Sequence, residues 1–413
     1  MSHLLTDEEK EEVIDLTKDL VRIPSMENSG SAIYKKVFDF LKEQGSERVE
    51  KGEKSPYLYD DERFNIIARV GSGEGPKIMM NCHLDTVDKT EGCFHPPFSA
   101  AEEDGRIYGL GAADMKGGCA SAIMSFIALS RRMKDMPGEL MLTCVFGEES
   151  PFSLGSDALL KQFDLTGYDL IISTEPSPLL AINDHCLVHK KIHRSKFPTA
   201  IVGAEGRVIF EIDFYGRSSH ASHPSQGINA LHDAAKLITE VTRFDLYQNI
   251  KMGRGHYVVL NIDGGNQSFT IPSRCRVVIN RQLTLGETDA SVIKEIKQII
   301  KSLKLRSKVK VSKRHKPSPE LEYRPYLFES SEYLDRFLGS VPLSTYGKGR
   351  KRCLFTTSSV GDFNLFGTRT RVPTVIFGPG GGNIHSPNEF VNISEILLTT
   401  EYLLNFFLEV FDR

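Results

Sequence analysis

Histidines and acidic residues follow several apolar segments of the sequence at the points where those segments end. His83 follows KIMMNC, Glu148 and Glu149 follow ELMLTCVFG, Glu175 follows YDLIIST, and His385 follows PTVIFGPGGGNI. Imidazole nitrogens and carboxylate oxygens are donors suited to divalent zinc, cobalt or manganese. Their recurrence after similar segments predicts a metal centre.

Asp114, in the segment GLGAADMKGG, adds a further candidate ligand. Two histidines and three carboxylates exceed what one tetrahedral ion needs, which predicts two ions with one bridging carboxylate. Each residue alone has a simpler explanation: a histidine after a strand is usually a loop residue, and an aspartate before a helix is usually an N-cap. The joint occurrence of these residues after four segments favours the metal centre.

The elements around these residues indicate an α/β domain. Apolar segments typical of buried strands alternate with helical patterns, and CASAIMSFIAL (119–129) is apolar almost all round, which predicts a buried helix. Such an alternation is typical of a mostly parallel sheet with helices on its faces. Because ligands bind at the carboxyl ends of the strands in open α/β sheets, the candidate ligands are expected to converge there.

A different pattern interrupts this domain after residue 204. Predicted strands at 207–215, 256–262, 275–284 and 308–313 enclose predicted helices at 228–243 and 289–303, the second with Asp289 as its N-cap. The order β-α-β-β-α-β is that of a ferredoxin-like α+β unit. We therefore predict a catalytic domain formed by 1–204 and 321–413, with an inserted domain at 205–320.

Composition excludes several classes of protein. The 413 residues carry 51 Lys and Arg against 54 Asp and Glu, a net charge of −3, which argues against capture of nucleic acid or of an anionic membrane surface. No apolar run is long enough to cross a membrane. Seven cysteines without a CxxC pair form neither a disulfide framework nor a structural zinc site. These features predict a cytoplasmic protein.

Six motifs spread over about 300 residues carry a resemblance. They are HLDTVD from His83, DGRIYGLGAADMKGG ending at Gly118, GEES from Gly147, TEPS from Thr174, SSHASHPSQGINA from Ser218 and HSPNEFV from His385. In these motifs the chain resembles the metallopeptidase and deacylase family of acetylornithine deacetylase, succinyl-diaminopimelate desuccinylase, aminoacylase and carboxypeptidase G. The resemblance implies a zinc-binding α/β domain interrupted by a lid and dimerisation domain, in agreement with the pattern of elements.

The resemblance also implies roles for the candidate residues. His83 and His385 would bind one ion each, Asp114 would bridge the ions, and Glu149 and Glu175 would complete the ligand set. Glu148 would be the general base, which takes a proton from the attacking water and delivers it to the leaving amine. Asp85, two residues after His83 on the same side of an extended segment, would accept the second ring N–H of that histidine.

Three further residues are candidates for substrate binding. His220, in SSHAS, resembles the family's histidine that stabilises the oxyanion, and in dimeric members it reaches the metal site of the partner subunit. Arg281 matches an arginine that commonly binds a substrate carboxylate, although an exposed strand arginine explains it equally well. Gly380, in GPGGG, brings a backbone N–H near the substrate or belongs to a flexible turn.

The sequence departs from the family in three places. Phe269 precedes Ile271 and Pro272 where an asparagine is common, and Leu110 replaces the usual arginine before the bridging aspartate. The segment 178–204 is unusually long and basic. Its histidines stand at a spacing of four, which is compatible with a helical metal-binding stripe but is better explained by a variable surface segment; they are His185, His189 and His193.

Together these observations predict a two-metal amidohydrolase that removes an acyl group from an N-acyl amino acid. The ions are expected to be zinc, with cobalt or manganese as alternatives, and the protein is expected to be a homodimer. A metallo-dipeptidase or carboxypeptidase of the same family is the alternative within this chemistry. A non-catalytic protein that has kept the fold would be expected to lack a ligand or the base, and the sequence retains them all.

Overall fold

The computed structural model describes residues 4–412 except 47, 56–61, 134, 151, 182–195, 242, 245, 266–267, 319 and 347–350. The chain divides into two compact units, the first formed by Met1–Ala204 with Leu327–Arg413 and the second by Glu205–Tyr326. The second unit extends beyond the predicted limit of 320 because the Arg207 N–H donates to the Tyr323 carbonyl at 2.8 Å. The predicted histidine stripe at 185–193 lies outside the described residues.

Helices and strands follow one another in three stretches of the chain. The stretch 1–204 contains α1 (Asp7–Arg22), α2 (Ala32–Glu43), β1 (Arg48–Lys51), β2 (Ile66–Val70), β3 (Lys77–His83), β4 (Ala101–Glu103), β5 (Arg106–Tyr108), α3 (Gly117–Arg132), β6 (Glu139–Val145), α4 (Leu154–Gln162), β7 (Leu170–Ser173), α5 (Ser177–Leu180) and β8 (Ile201–Ala204). The stretch 205–326 contains β9 (Gly206–Tyr215), α6 (Ala230–Val241), β10 (Gln248–Asn249), β11 (Gly253–Arg254), β12 (Tyr257–Gly264), β13 (Arg274–Leu283), α7 (Asp289–Ser302), β14 (Lys308–Lys313) and β15 (Tyr326–Leu327), which ends in the first unit. The last stretch contains α8 (Glu332–Ser340), β16 (Thr345–Tyr346), β17 (Lys351–Arg352), β18 (Phe355–Thr357), α9 (Asp362–Arg369), β19 (Thr374–Ile376), β20 (Gly381–Gly382), β21 (Phe390–Asn392) and α10 (Ile393–Phe411). Among the described helices, none is long and apolar enough to cross a membrane.

The first unit is built on a mixed sheet with the strand order β1-β2-β6-β3-β7-β19-β8-β15, and β18 pairs with β8. The central strands β6, β3, β7 and β19 run parallel to one another. Their carboxyl ends therefore meet at one edge of the sheet, as the sequence predicted. A smaller sheet, with the order β20-β21-β5-β4, joins the segment before α3 to the segment after β19.

Helix α3 is the buried helix that the sequence predicted. Every residue from Gly117 to Leu129 is buried, and the helix packs against α1, α10 and the strands β3 and β6. Gly118 permits the close approach at its first turn, since a Cβ there would lie 2.0 Å from the Thr174 carbonyl oxygen. The amino end of α3, which follows Asp114, is thereby fixed against the end of β7.

The second unit has the predicted ferredoxin-like fold. Its antiparallel sheet has the order β12-β13-β9-β14, with α6 and α7 contributing to the core under one face. The alternating residues of β9 that the sequence assigned to the core are buried; they are Val208, Phe210, Ile212 and Phe214. One detail was wrong: the N-cap of α7 is Thr288, whose hydroxyl accepts from the Ser291 N–H, rather than Asp289.

Candidate metal centre

His83, the last residue of β3, lies within reach of carboxylates from three other segments. Its Nε2 atom is 3.3 Å from Asp114 Oδ1, 3.4 Å from Glu175 Oε1 and 3.9 Å from Glu148 Oε2. Glu175 is placed there because it follows β7, the strand beside β3. One candidate ligand group is thus His83 with Asp114 and Glu175.

A second ligand group lies on the other oxygen of Asp114. His385 Nε2 is 3.4 Å from Asp114 Oδ2 and 2.9 Å from Glu149 Oε1. The candidate ligand atoms of Asp114, Glu149 and His385 all lie within 4.8 Å of one another. Because Asp114 belongs to both groups, the arrangement matches two ions with one bridging carboxylate.

The hydrogen bonding of His83 fits a cation between these side chains. Its Nδ1 atom is 3.0 Å from the carbonyl oxygen of Asp85, so a neutral ring with its proton on Nδ1 keeps the lone pair on Nε2. Nε2 is buried and has no hydrogen-bond partner in the described part of the chain. Burial opposes a charge on this ring, yet the nearby carboxylates of Glu175 and Asp114 raise the pKa of His83 well above the usual range. Nε2 therefore favours a cation, either a proton or a metal ion, between itself and these carboxylates.

The pKa values of the side chains in this cluster also indicate a site for cations. Burial, together with the charge of Asp114, raises the pKa of Glu175 to about 8. Burial also raises the pKa of Glu149, and it raises the pKa of Glu148 well above the usual range. Hydrogen bonds with Asp114 and Glu149 raise the pKa of His385 to about 10. The cluster therefore holds more carboxylates than its histidines can neutralise, and divalent cations would supply the missing charge.

Asp85 is placed differently from its predicted role. Its carboxylate accepts the backbone N–H groups of Glu148 and Glu149 at 3.2 and 2.9 Å, whereas Oδ1 lies 3.8 Å from His83 Nδ1. The Asp85 carbonyl, rather than its carboxylate, is the close partner of the His83 ring. The side chain thus holds the backbone that carries both glutamates.

Gly361 is a contact of Glu148 that the sequence analysis missed. It precedes α9, and a Cβ at this position would lie 2.4 Å from Glu148 Oε1. The glycine therefore leaves room for the carboxylate of the candidate base. A glycine in a loop of mixed composition gave no signal, because the close approach involves residues more than 200 positions apart.

Gly380 and Arg281 have contacts that do not support their predicted roles in substrate binding. The Gly380 N–H donates to Glu395 Oε2 at 2.7 Å, so this donor is already engaged. Arg281, in the second unit, has no exposed surface, and its guanidinium pairs with Glu295 and Glu287. The alternation along β13 turns Arg281 toward Glu287 and toward Glu295 of α7 instead of toward solvent.

Replacing Arg281 by Met is expected to lower the free energy of unfolding by about 3–5 kcal/mol, because it leaves the largely shielded carboxylates of Glu287 and Glu295 without their positive partner. Urea unfolding of the variant measures this loss, and KM should remain near that of the wild type. Stability equal to that of the wild type, combined with a raised KM, would instead restore the predicted role in substrate binding.

His220 lies in an exposed loop of the second unit. Its Nδ1 atom is 2.7 Å from the Ser222 hydroxyl, and its backbone forms an isolated bridge with Thr270. Phe269, which stands where asparagine is common, belongs to the same loop pair, since its carbonyl accepts the Ala221 N–H at 2.9 Å. Its own side chain is 85% exposed and has no polar atom, so it cannot make the contact that an asparagine would make.

Comparison with known proteins places these features in a family. Residues 79–409 match the model of peptidase family M20/M25/M40. A succinyl-diaminopimelate desuccinylase of Methylorubrum extorquens is 26% identical over 342 residues, which cover 80% of this chain and 82% of that protein. The aminopeptidase PepT of Bacillus cereus superposes with a TM-score of 0.73 at 19% identity, covering 97% and 98% of the two chains. The YXEP protein of Bacillus subtilis, a dinuclear metal-binding peptidase, superposes with a TM-score of 0.68 at 16% identity, covering 98% and 99%. At identities of 19% and 16%, these two superpositions show that this chain has the same fold as the two solved structures.

Proposed function

The chain belongs to peptidase family M20/M25/M40, and we propose that it is a two-metal amidohydrolase that removes an acyl group from an N-acyl amino acid. The observation that carries the proposal is the sharing of Asp114 by two ligand groups, each with its own histidine. The relatives named succinyl-diaminopimelate desuccinylase support an acylated amino acid as the substrate class. A peptidase acting on a short peptide is the second candidate, supported by the peptidases that share the fold.

In the proposed mechanism, the ions and the residues of the centre have separate roles in hydrolysis. Two divalent ions, when bound, would lower the pKa of the attacking water and polarise the scissile carbonyl. Glu148 takes a proton from this water as its oxygen forms a bond to the carbonyl carbon. As the C–N bond breaks, Glu148 delivers the proton to the leaving nitrogen, and the products are a carboxylic acid and an amine. Asp85, through the backbone of 148–149, keeps this carboxylate in position.

The donor set favours zinc as the resident metal. Imidazole nitrogens from His83 and His385 combine with carboxylates, a borderline set that suits zinc and also accepts cobalt or manganese. Hydrolysis of N-succinyl amino acids, N-acetyl amino acids and dipeptides, each measured with the three metals, tests both the metal and the substrate class. Release of amine from the acylated amino acids supports the deacylase, and release from dipeptides alone supports the peptidase. No release from any of them would contradict the proposal.

We also propose a homodimer that pairs through β12. This strand lies at an edge of the sheet of the second unit, and Val258, Leu260 and Ile262 are each exposed by 41–51%. The opposite edge strand, β14, carries exposed lysines at 308, 310 and 313, which oppose edge-to-edge pairing. We infer that the partner of β12 is the same strand of a second copy of the chain. Two identical edge strands related by a twofold axis can pair with each other, because each offers the other the same surface.

In such a dimer, His220 is proposed to stabilise the oxyanion in the active site of the partner subunit. His220→Ala is then expected to lower turnover by about 10²–10³-fold, the scale of an oxyanion donor, without loss of metal. Mixing this variant with Glu148→Gln protein under subunit exchange should restore part of the activity, because one site of the mixed dimer has both residues intact. A fully active monomer in sedimentation, or no restored activity despite proven exchange, would refute the action in trans.

The cysteines favour a reducing compartment, and we propose the cytoplasm. The described cysteines form no disulfide bond with one another, and most of them are buried. The Cys82 thiol donates a hydrogen bond to the Cys144 sulfur at 3.5 Å, so the two neighbouring thiols are not joined by a disulfide. Neighbouring thiols of this kind persist where glutathione and thioredoxin keep them reduced.

A further inference from the structure

Glu389 is a buried acid of the first unit that neither binds the candidate ions nor entered the sequence analysis as a functional residue. It is 3% exposed and follows His385 by four residues in the motif HSPNEFV. Its Oε1 atom accepts the backbone N–H groups of Ala113 and Asp114 at 2.9 and 3.0 Å, and Oε2 accepts that of Gly111 at 3.0 Å. One carboxylate thus holds three donors of the turn that carries Asp114.

The backbone hydrogen bonds of this turn, from Ala112 to Gly109 and from Lys116 to Gly111, do not use the three donors that Glu389 binds. Asp114 has φ −120° and ψ 92°, so its N–H does not belong to the helical ladder that begins at Gly117. A buried N–H left without an acceptor destabilises the folded backbone around it. Asp114 must also keep its two oxygens within 3.3–3.4 Å of His83 and His385, which a shifted backbone would prevent.

The backbone of Glu389 ties the same turn to the loop that carries His385. Its carbonyl accepts the Gly109 N–H at 2.9 Å. Within the loop, Asn383 Nδ2 donates to the Asn388 carbonyl at 3.1 Å, and Asn388 Oδ1 accepts the Phe94 N–H at 2.7 Å. The side chain and backbone of Glu389 therefore join the segment of the bridging carboxylate to the segment of the second histidine.

We propose that Glu389 is a positioning residue, which sets the bridging carboxylate of Asp114 and couples it to the His385 loop, so that both ions bind tightly. The proposal rests on the two-metal function proposed above. Its effect is on metal affinity, because supporting residues of this kind typically change affinity by about 10–100-fold. It predicts that disturbing Glu389 weakens metal binding before it unfolds the protein.

The test compares Glu389→Gln with Glu9→Gln in the full chain. The first variant keeps the size of the side chain but turns one acceptor into a donor that faces a backbone N–H. The control loses the charge of another buried acid, which accepts the Thr6 N–H at 2.9 Å and pairs with Arg132. Arg132 is the last residue of α3, a helix of 16 residues that is about 24 Å long, and Asp114 lies just before the first residue of this helix. The control substitution is therefore at the opposite end of α3 from the bridging aspartate.

Zinc affinity is measured by competition with a chromophoric chelator, and stability is measured by thermal unfolding of the metal-free proteins. We expect Glu389→Gln to bind zinc about 10–100-fold more weakly than the wild type, while Glu9→Gln loses stability but keeps its zinc affinity. Should Glu389→Gln fail to fold, Glu389→Asp keeps the charge, is too short to reach all three donors, and is expected to show the same direction of change.

Two results would overturn the proposal. One is zinc affinity equal to that of the wild type in a folded Glu389 variant, and the other is an equal loss of affinity in Glu9→Gln. A wild-type protein that binds no zinc would instead contradict the proposed function itself. The failures are therefore distinguishable, since the first two occur with a wild type that binds its metal.

Discussion

Glu148→Gln is expected to lower turnover by at least about 100-fold while the metal content stays near that of the wild type. The substitution preserves size but removes the group that takes the proton of the attacking water, and loss of general acid–base catalysis typically costs 10²–10⁴-fold. Since Glu148 is not among the five proposed ligands, both ions should remain bound. Steady-state kinetics on the preferred substrate, with metal analysis of the same samples, measures both quantities.

The neighbouring glutamate provides a matched control. Glu149→Gln is the same chemical change one residue away, but Glu149 Oε1 belongs to the ligand group with Asp114 and His385. We expect this variant to lose metal as well as turnover. Glu148→Gln protein that keeps its metal and more than about one tenth of the wild-type turnover would remove Glu148 from the mechanism.

The positions of the candidate ligands were predictable because they depend on strand order and polarity. Apolar segments long enough for buried strands, each followed by a histidine or an acid, imply parallel strands whose carboxyl ends meet. The sheet has this arrangement, with β6, β3, β7 and β19 side by side. Likewise, the all-round apolar character of 119–129 is a property of local sequence, and α3 is buried as expected.

The contacts around the ligands were not predictable, because they depend on side-chain directions between distant segments. Asp85 has the spacing for a bond to His83, yet its carboxylate binds the backbone of 148–149, which comes from another strand end. Arg281 carries a charge that suggests a surface position, but Glu287, just before α7, and Glu295, within it, compensate this charge inside the second unit. The role of Glu389 depends on three backbone donors 275–278 positions earlier in the chain.

Removal of the metal is expected to abolish turnover completely, and zinc or cobalt should restore it. The chain offers Glu148 as a base but no nucleophile in the proposed mechanism, so without the ions neither the water nor the carbonyl is activated. Dialysis against a chelator, followed by assays with and without added metal, tests this expectation. Full turnover of the stripped protein would show that the metal hypothesis is wrong.

Zinc uptake by the stripped protein is also expected to release protons and to weaken on acidification. Without metal, the pKa of His385 is raised to about 10 and that of Glu175 to about 8, so at pH 7 both groups hold protons that zinc must displace. Since these raised pKa values lie above neutral pH, zinc affinity should rise as the pH increases from 6 toward 8 and fall in the opposite direction. Calorimetric titration in two buffers of different ionisation enthalpy gives the number of protons released. Zinc binding that released no protons and kept one affinity across this range would mean that neither His385 nor Glu175 is a ligand, because each must lose its proton before it can bind the ion.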